Sequence, residues 1–260
     1  MTPEMVLAVA IAAAPWPAAP PRAPAPAPEL AVYAAASLRP ALERISAAWE
    51  QAAGVRLVLN FAASNDLARQ IAAAGKADLF VSADEAWMDH LASLGLIDAG
   101  SRRAFLSNRL VVVVPAGEGG PRFRDAAGLA SPAVRRISLA HPEAVPAGRY
   151  ARAWLEAAGV WEAVEPKIVP AVDARAALAA VEAGAADAGV VYRTDAAGTR
   201  RAEILFEAPE DESPVITYVM AAMAGRPHLE RARAAARWLA GPQAAQTFRQ
   251  LGFTFPPGAP

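Results

Sequence analysis

From residue 30 onward, short apolar runs alternate with longer stretches whose apolar residues recur at helical spacing, and this alternation confines the chain to one fold class. Residues 30–36 are an apolar run with the length of a buried strand. Leu38, Leu42, Ile45 and Trp49 then fall on one face of a helix that Gly54 ends. Residues 55–61 read as a second strand, 67–74 as a short helix closed by Gly75, and 77–83 as a third strand. A βαβαβ unit implies a parallel sheet with right-handed crossovers and a ligand crevice at the carboxyl ends of its strands. The pattern restarts beyond the apolar run 110–114 and the Gly/Pro-rich stretch 116–121, with strands at 137–140, 167–170 and 188–192 and helices at 148–158 and 174–183. A further strand at 215–223 and two helices across 227–251, broken at Gly241-Pro242, follow. The expected fold is α/β, with two lobes that are each a mostly parallel sheet flanked by helices. Residues 30–109 and 218–260 make lobe one, residues 110–217 make lobe two, and two crossing strands make the pair a hinged clamp.

Composition narrows the chemistry. In 260 residues, 25 basic and 26 acidic side chains leave a net charge of -1, so no polyanion-binding field exists and nucleic acid is excluded as a partner. Cysteine is absent, which removes disulfides, thiolate metal sites and cysteine nucleophiles together. His90, His141 and His228 are far apart and without a carboxylate cluster, so they read as surface or capping residues rather than as metal ligands. Residues 1–29 stand apart: an apolar run over 5–14 has the length of an export signal, and a Pro/Ala leader follows it. The first four residues carry no Lys or Arg, a departure from the usual export signal that a misassigned start codon would explain. No stretch reaches the roughly 18 apolar residues of a membrane span.

Candidate site residues sit at the junctions. Ser37 and Ser64 each stand where an extended run gives way to a helix, as ready N-caps whose hydroxyls, with the first free N–H groups, can equally face an anion. Pro146-Ala147-Gly148 opens a helix with the N–H groups of Ala147 and Gly148 free. Asp173 is the expected N-cap of the helix that starts at Ala174, and Tyr192 ends a strand with a hydroxyl. One N-cap serine or one strand-end tyrosine is ordinary. Several at the same sheet ends point to an anion cradle without formal charge.

Together these segments resemble the periplasmic molybdate-binding proteins of ABC transporters, over about residues 30–253. The phrases that carry the resemblance are AAASL at 34–38, FAASNDLARQI at 61–71, ADLFVSADEAWMD at 77–89, LVVVVP at 110–115, HPEAVPAGRYA at 141–151, DARAALAAVEAGAADAGVVYRTDA at 173–196 and GPQAAQTFRQLGF at 241–253. The resemblance implies a type II periplasmic-binding-protein-like fold and no enzymatic activity. It implies molybdate or tungstate as ligand, with no cofactor and no metal beyond that oxyanion. By motif, the ligand donors fall on the hydroxyls of Ser37, Ser64 and Tyr192 and the amides of Ala147 and Ala174. Asn65 and Asp66 occupy positions that the family commonly fills with small hydroxyl residues, and Asp66 must point away from a dianion. The implied partners are a membrane permease and its ATPase, the implied place is the periplasm, free or tethered, and the implied state is a monomer. The physics agrees, since hydrogen bonds to a charged group contribute roughly 1.5–3 kcal/mol each and several neutral donors therefore replace a cationic side chain. Such a cage selects by size, admitting tungstate and leaving sulfate short of some donors. The alternatives are a hydrolase, for which the sequence lacks a G-x-S-x-G elbow; the sensing domain of a regulator, for which it lacks a helix-turn-helix ahead of residue 30; and the same clamp with sulfate, phosphate or an organic anion as cargo.

Overall fold

The computed structural model describes residues 27–117 and 120–256, so the export signal and nearly all of the leader lie outside the described residues. The chain first lays down β1 (Glu29–Ala35), α1 (Arg39–Ala53), β2 (Arg56–Ala62), α2 (Ser64–Ala74), β3 (Leu79–Ser82), α3 (Glu85–Ser93) and β4 (Arg103–Leu106). It continues with β5 (Leu110–Pro115), β6 (Ile137–Ala140), α4 (Pro146–Ala157), α5 (Trp161–Val164), β7 (Ile168–Ala171), α6 (Ala174–Glu182), β8 (Ala188–Tyr192), α7 (Arg193–Ala196) and β9 (Ala202–Glu207). Then come β10 (Tyr218–Ala222), α8 (Leu229–Leu239) and α9 (Pro242–Gln250). Gly54 and Gly75 end α1 and α2 in the left-handed conformation, at φ of 64° and 56°, where a side chain would be strained.

Two five-stranded sheets result, in the orders β2-β1-β3-β10-β4 and β7-β6-β8-β5-β9. β1 pairs in parallel with β2 and β3, and β6 in parallel with β7 and β8. β10 runs antiparallel to β3 and β4, and β5 antiparallel to β8 and β9. In each sheet the antiparallel member is therefore the strand formed just after the chain has crossed from the other sheet. Both inserted strands are wholly apolar and buried, apart from the half-buried Pro115 that ends β5, as strands covered on two faces must be. The chain crosses at residues 107–109 and returns across 208–217. The C-terminal helices rejoin the first sheet, where Trp238 of α8 meets Trp49 of α1 edge to face, with ring centroids 5.7 Å apart.

The α/β class and the main elements match the sequence pattern. β4, β9 and α3 were not anticipated, and the strand expected at 215–223 is regular only from Tyr218 to Ala222. Among the described residues no helix is long and apolar enough to cross a membrane.

Candidate functional site

The carboxyl ends of β1, β2, β6, β7 and β8 face one another across the gap between the sheets, and a cavity of about 20 Å³ lies among them. Ser37, Ser64, Ala147, Ala174 and Tyr192 all line it. The structure thus brings the five sequence-predicted residues together. One water needs on the order of 10–15 Å³, whereas organic ligands occupy pockets of roughly 300–1,000 Å³. The space suits a small ion. None of the lining residues is Lys or Arg, so charge compensation must come from oriented dipoles.

Those dipoles are helix starts. The chain enters α1 through a single tight turn, residues 36–38, while α2, α4 and α6 begin at Ser64, Pro146 and Ala174. The first N–H groups of each have no partner inside their helix, and each start carries partial positive charge. In α4, Arg149 makes the first amide bond, to the Val145 carbonyl, which leaves the amides of Ala147 and Gly148 outside the ladder. Gly148 lets this helix start press against β6: a Cβ there would lie 2.1 Å from the Ala140 carbonyl oxygen and 2.5 Å from that of His141. Asp173 caps α6 as expected, its carboxylate accepting from the Ala176 N–H at 2.8 Å. The Ala174 amide stays free of that cap.

The two serines are not N-caps, which corrects the expectation. Ala35 and Ala63 hold the cap positions, Ser37 lies inside the tight turn and Ser64 is the first residue of α2. Their hydroxyls are committed to other lobe-one groups instead. Ser64 Oγ accepts from the Ala83 N–H at 3.0 Å, and Ser37 Oγ lies 2.9 Å from the Tyr218 hydroxyl. Asn108 Nδ2 in turn donates to that Tyr218 hydroxyl at 3.2 Å. Tyr218 and Asn108 escaped the sequence reading, since nothing local marks them. Tyr192, by contrast, has a buried hydroxyl with no partner among the described residues. Burial pushes its pKa well above that of a free tyrosine, so it stays a donor. The same cause raises Tyr218, against the smaller effect of its hydrogen bonds.

Asp66 does point away from the cavity. It pairs with Arg69 and accepts from Asn65 Nδ2 at 3.2 Å, and neither Asn65 nor Asp66 lines the space. A wider cleft of about 810 Å³, bordered by Arg39, Arg44 and Arg175, adjoins the cavity at Ala36 and Asp173. Asp195 borders this cleft with both carboxylate oxygens buried and unpartnered, and burial raises its pKa from 3.8 to about 7. On another side, the Trp87 indole donates to the Ala144 carbonyl at 2.9 Å, and Arg149 of α4 pairs with Asp84 at 3.0 Å, so both contacts tie the lobes directly. No group of His, Asp or Glu among the described residues is arranged to hold a metal ion.

The sequence pattern of bacterial extracellular solute-binding proteins matches residues 30–254. The chain is 38% identical to the molybdate-binding protein ModA of Escherichia coli strain K12, over 87% of this chain and 89% of that one. Among solved structures it is similar to the substrate-binding domain of a putative molybdenum ABC transporter from Clostridium difficile, at 27% identity and a TM-score of 0.69, over 87% and 98% of the two chains. The periplasmic molybdate-binding protein of Azotobacter vinelandii shares the fold with a TM-score of 0.77 at 24% identity, over 87% of this chain and 99% of that one.

Proposed function

Since this chain belongs to the bacterial extracellular solute-binding protein family, within which its relatives include molybdate-binding proteins, we propose that it captures molybdate, and tungstate with it, for an ABC-type uptake system. Ser37, Ser64 and Tyr192 donate from their hydroxyls and Ala147 and Ala174 from their amides. Lobe one comprises 30–109 and 218–260 and lobe two 110–217, with the anion enclosed between them. The protein acts as a monomer in the periplasm, not as an enzyme, and hands its cargo to a membrane permease driven by an ATPase.

The observation that carries this reading is the ion-sized cavity into which groups from both lobes converge, free of Lys and Arg, with its one acidic residue, Asp173, engaged as the α6 cap and the Tyr192 hydroxyl buried and unpartnered at its wall. Stripping water from a dianion is costly unless its lone pairs meet donors, and this wall offers them. An organic anion is disfavoured by the volume and by the missing cationic clamp. The test is thermal unfolding of the full chain with molybdate, tungstate, sulfate and phosphate. Ligand at about 100 times its dissociation constant adds about 2.7 kcal/mol when only the folded state binds. Molybdate and tungstate are expected to raise the melting temperature strongly and sulfate weakly. A rise with sulfate or phosphate and none with molybdate overturns the reading.

A further inference from the structure

We propose that Asn108 and Tyr218 fix the direction of the Ser37 hydroxyl so that the cage senses hydrogen on its anion, admitting oxyanions whose oxygens are all bare and rejecting hydrogen phosphate. The proposal rests on the oxyanion reading above. It concerns which anions of like charge the site distinguishes.

A backbone N–H only donates, and the Arg109 N–H points at Asn108 Oδ1, 2.9 Å away. That contact fixes the amide orientation, so Nδ2 is the atom facing Tyr218 at 3.2 Å and Thr194 Oγ1 at 2.8 Å. The Tyr218 hydroxyl therefore accepts from Asn108. Its single hydrogen then goes to Ser37 Oγ at 2.9 Å, since no other acceptor among the described residues lies within hydrogen-bond reach of it. Ser37 accepts, and its own hydrogen is left for the cavity. Ser64 reaches the same condition by a shorter route, because the Ala83 N–H occupies its oxygen. The amides of Ala147 and Ala174 are donors by nature. Tyr192 has no other partner for its hydrogen, so it could accept from an anion only by leaving that hydrogen buried and unpaired.

Asp173 also borders the cavity, but its carboxylate accepts from the Ala176 N–H as the α6 cap, so every group aimed at the anion presents hydrogen. Molybdate, tungstate and sulfate meet such a wall with bare oxygens. Hydrogen phosphate, also a dianion, must place its own hydrogen against a donor, and that clash is a rejection built into the site independently of size.

Two substitutions test the relay, each read as ratios of dissociation constants measured calorimetrically on the full chain. Asn108→Asp puts a carboxylate oxygen where the amide donates. The Tyr218 hydrogen turns to it, the Ser37 hydrogen turns to Tyr218, and a serine lone pair faces the cavity. The preference for molybdate over phosphate is expected to fall about tenfold or more, while the preference for molybdate over sulfate stays unchanged, because neither of those anions carries hydrogen. The added charge repels all three dianions alike and cancels in the ratios. Tyr218→Phe leaves Ser37 free to turn either way and is expected to lower the phosphate ratio less, about threefold, again with the sulfate ratio constant. This variant decides the matter if Asn108→Asp does not fold, as judged by its unfolding transition. Unchanged phosphate ratios in folded variants overturn the relay. So does a parallel fall in both ratios, which marks a merely loosened cage. A parent chain that binds no molybdate overturns the oxyanion reading and the relay with it.

Discussion

The two halves of the cage prepare their donors differently. In lobe one, both serine hydroxyls are held by protein partners, Ser64 by the Ala83 N–H and Ser37 by Tyr218, and the buried carboxylates of Asp78 and Asp84 are paired as well. Asp78 accepts from the Ala31 N–H and meets Arg226 at 3.0 Å, while Asp84 accepts from the Trp87 N–H and meets Arg149. In lobe two, the Tyr192 hydroxyl and both oxygens of Asp195 are buried without partners. A buried polar group left unsatisfied costs about 1–3 kcal/mol. At the cavity, lobe one has therefore already engaged its hydroxyls, while lobe two brings a tyrosine hydroxyl that closure leaves short of a hydrogen bond until an anion accepts one. That asymmetry makes closure conditional on cargo.

The largest expected effect concerns Asp195. The folded chain keeps its proton up to about pH 7, whereas the ordinary aspartate value is 3.8. Across that window the folded state binds more protons than the unfolded one, so stability falls as pH rises from about 4 to about 7 and levels off above. Removing the charge with Asp195→Asn is expected to stabilise the chain by on the order of 3 kcal/mol at pH 8 and by little at pH 4. Urea unfolding at the two pH values measures this. An equal effect at both would show that lobe two does satisfy this carboxylate.

Next come the serines. Ser37→Ala and Ser64→Ala each remove one of the hydroxyls proposed to hold the anion, with an expected loss of about 1.5–3 kcal/mol of molybdate binding, roughly ten- to a hundredfold. Ser64→Ala also strands the buried Ala83 N–H, so the ligand-free protein is expected to unfold about 1 kcal/mol more easily. Tyr192→Phe is the sharper contrast. Binding is expected to weaken about tenfold, yet the ligand-free chain loses an unsatisfied hydroxyl and is expected to be at least as stable as its parent. A destabilised Tyr192→Phe would place that hydroxyl among the structural groups and erase the difference between the lobes.

What the sequence disclosed follows the same physics. Strands such as β5 and β8 are buried on both faces and rich in valine, so they stand out as apolar runs, and each predicted donor lies at or beside a strand end where an apolar run meets a helical one. The serine hydroxyls were found for the wrong immediate reason, since their oxygens are held across the fold rather than by their own helices. Ser37 and Tyr218 are 181 positions apart, and their contact exists because β10 inserts antiparallel between β3 and β4. Periodicity marks β10 as a strand and leaves its neighbours undetermined. β4, only four residues long at the edge of its sheet, and β9, an edge strand with a mostly half-exposed face, carry apolar runs of just three residues, 104–106 and 204–206, too short to mark a strand.

The smallest expected effect bears on the charge pair between Asp84 and Arg149, which joins the lobes beside the cavity. Asp84 is buried and its pKa is raised, chiefly by that burial, while its partner Arg149 is 43% exposed. Taking the carboxylate from water offsets much of the attraction, and solvent around the guanidinium weakens it further, so the pair favours closure only slightly. Its position gives it more meaning than its strength, because Arg149 follows the Ala147 amide by two residues and Asp84 follows Ala83, whose N–H holds Ser64. Arg149→Met is expected to weaken molybdate binding about threefold through faster release, and Asp84→Asn by a similar factor, with its α3 cap retained. If the pair joins the two lobes, the double variant is expected to bind no worse than either single one. Losses that multiply in the double variant would mean that each residue acts within its own lobe, and closure would then be governed by the anion and its donors alone.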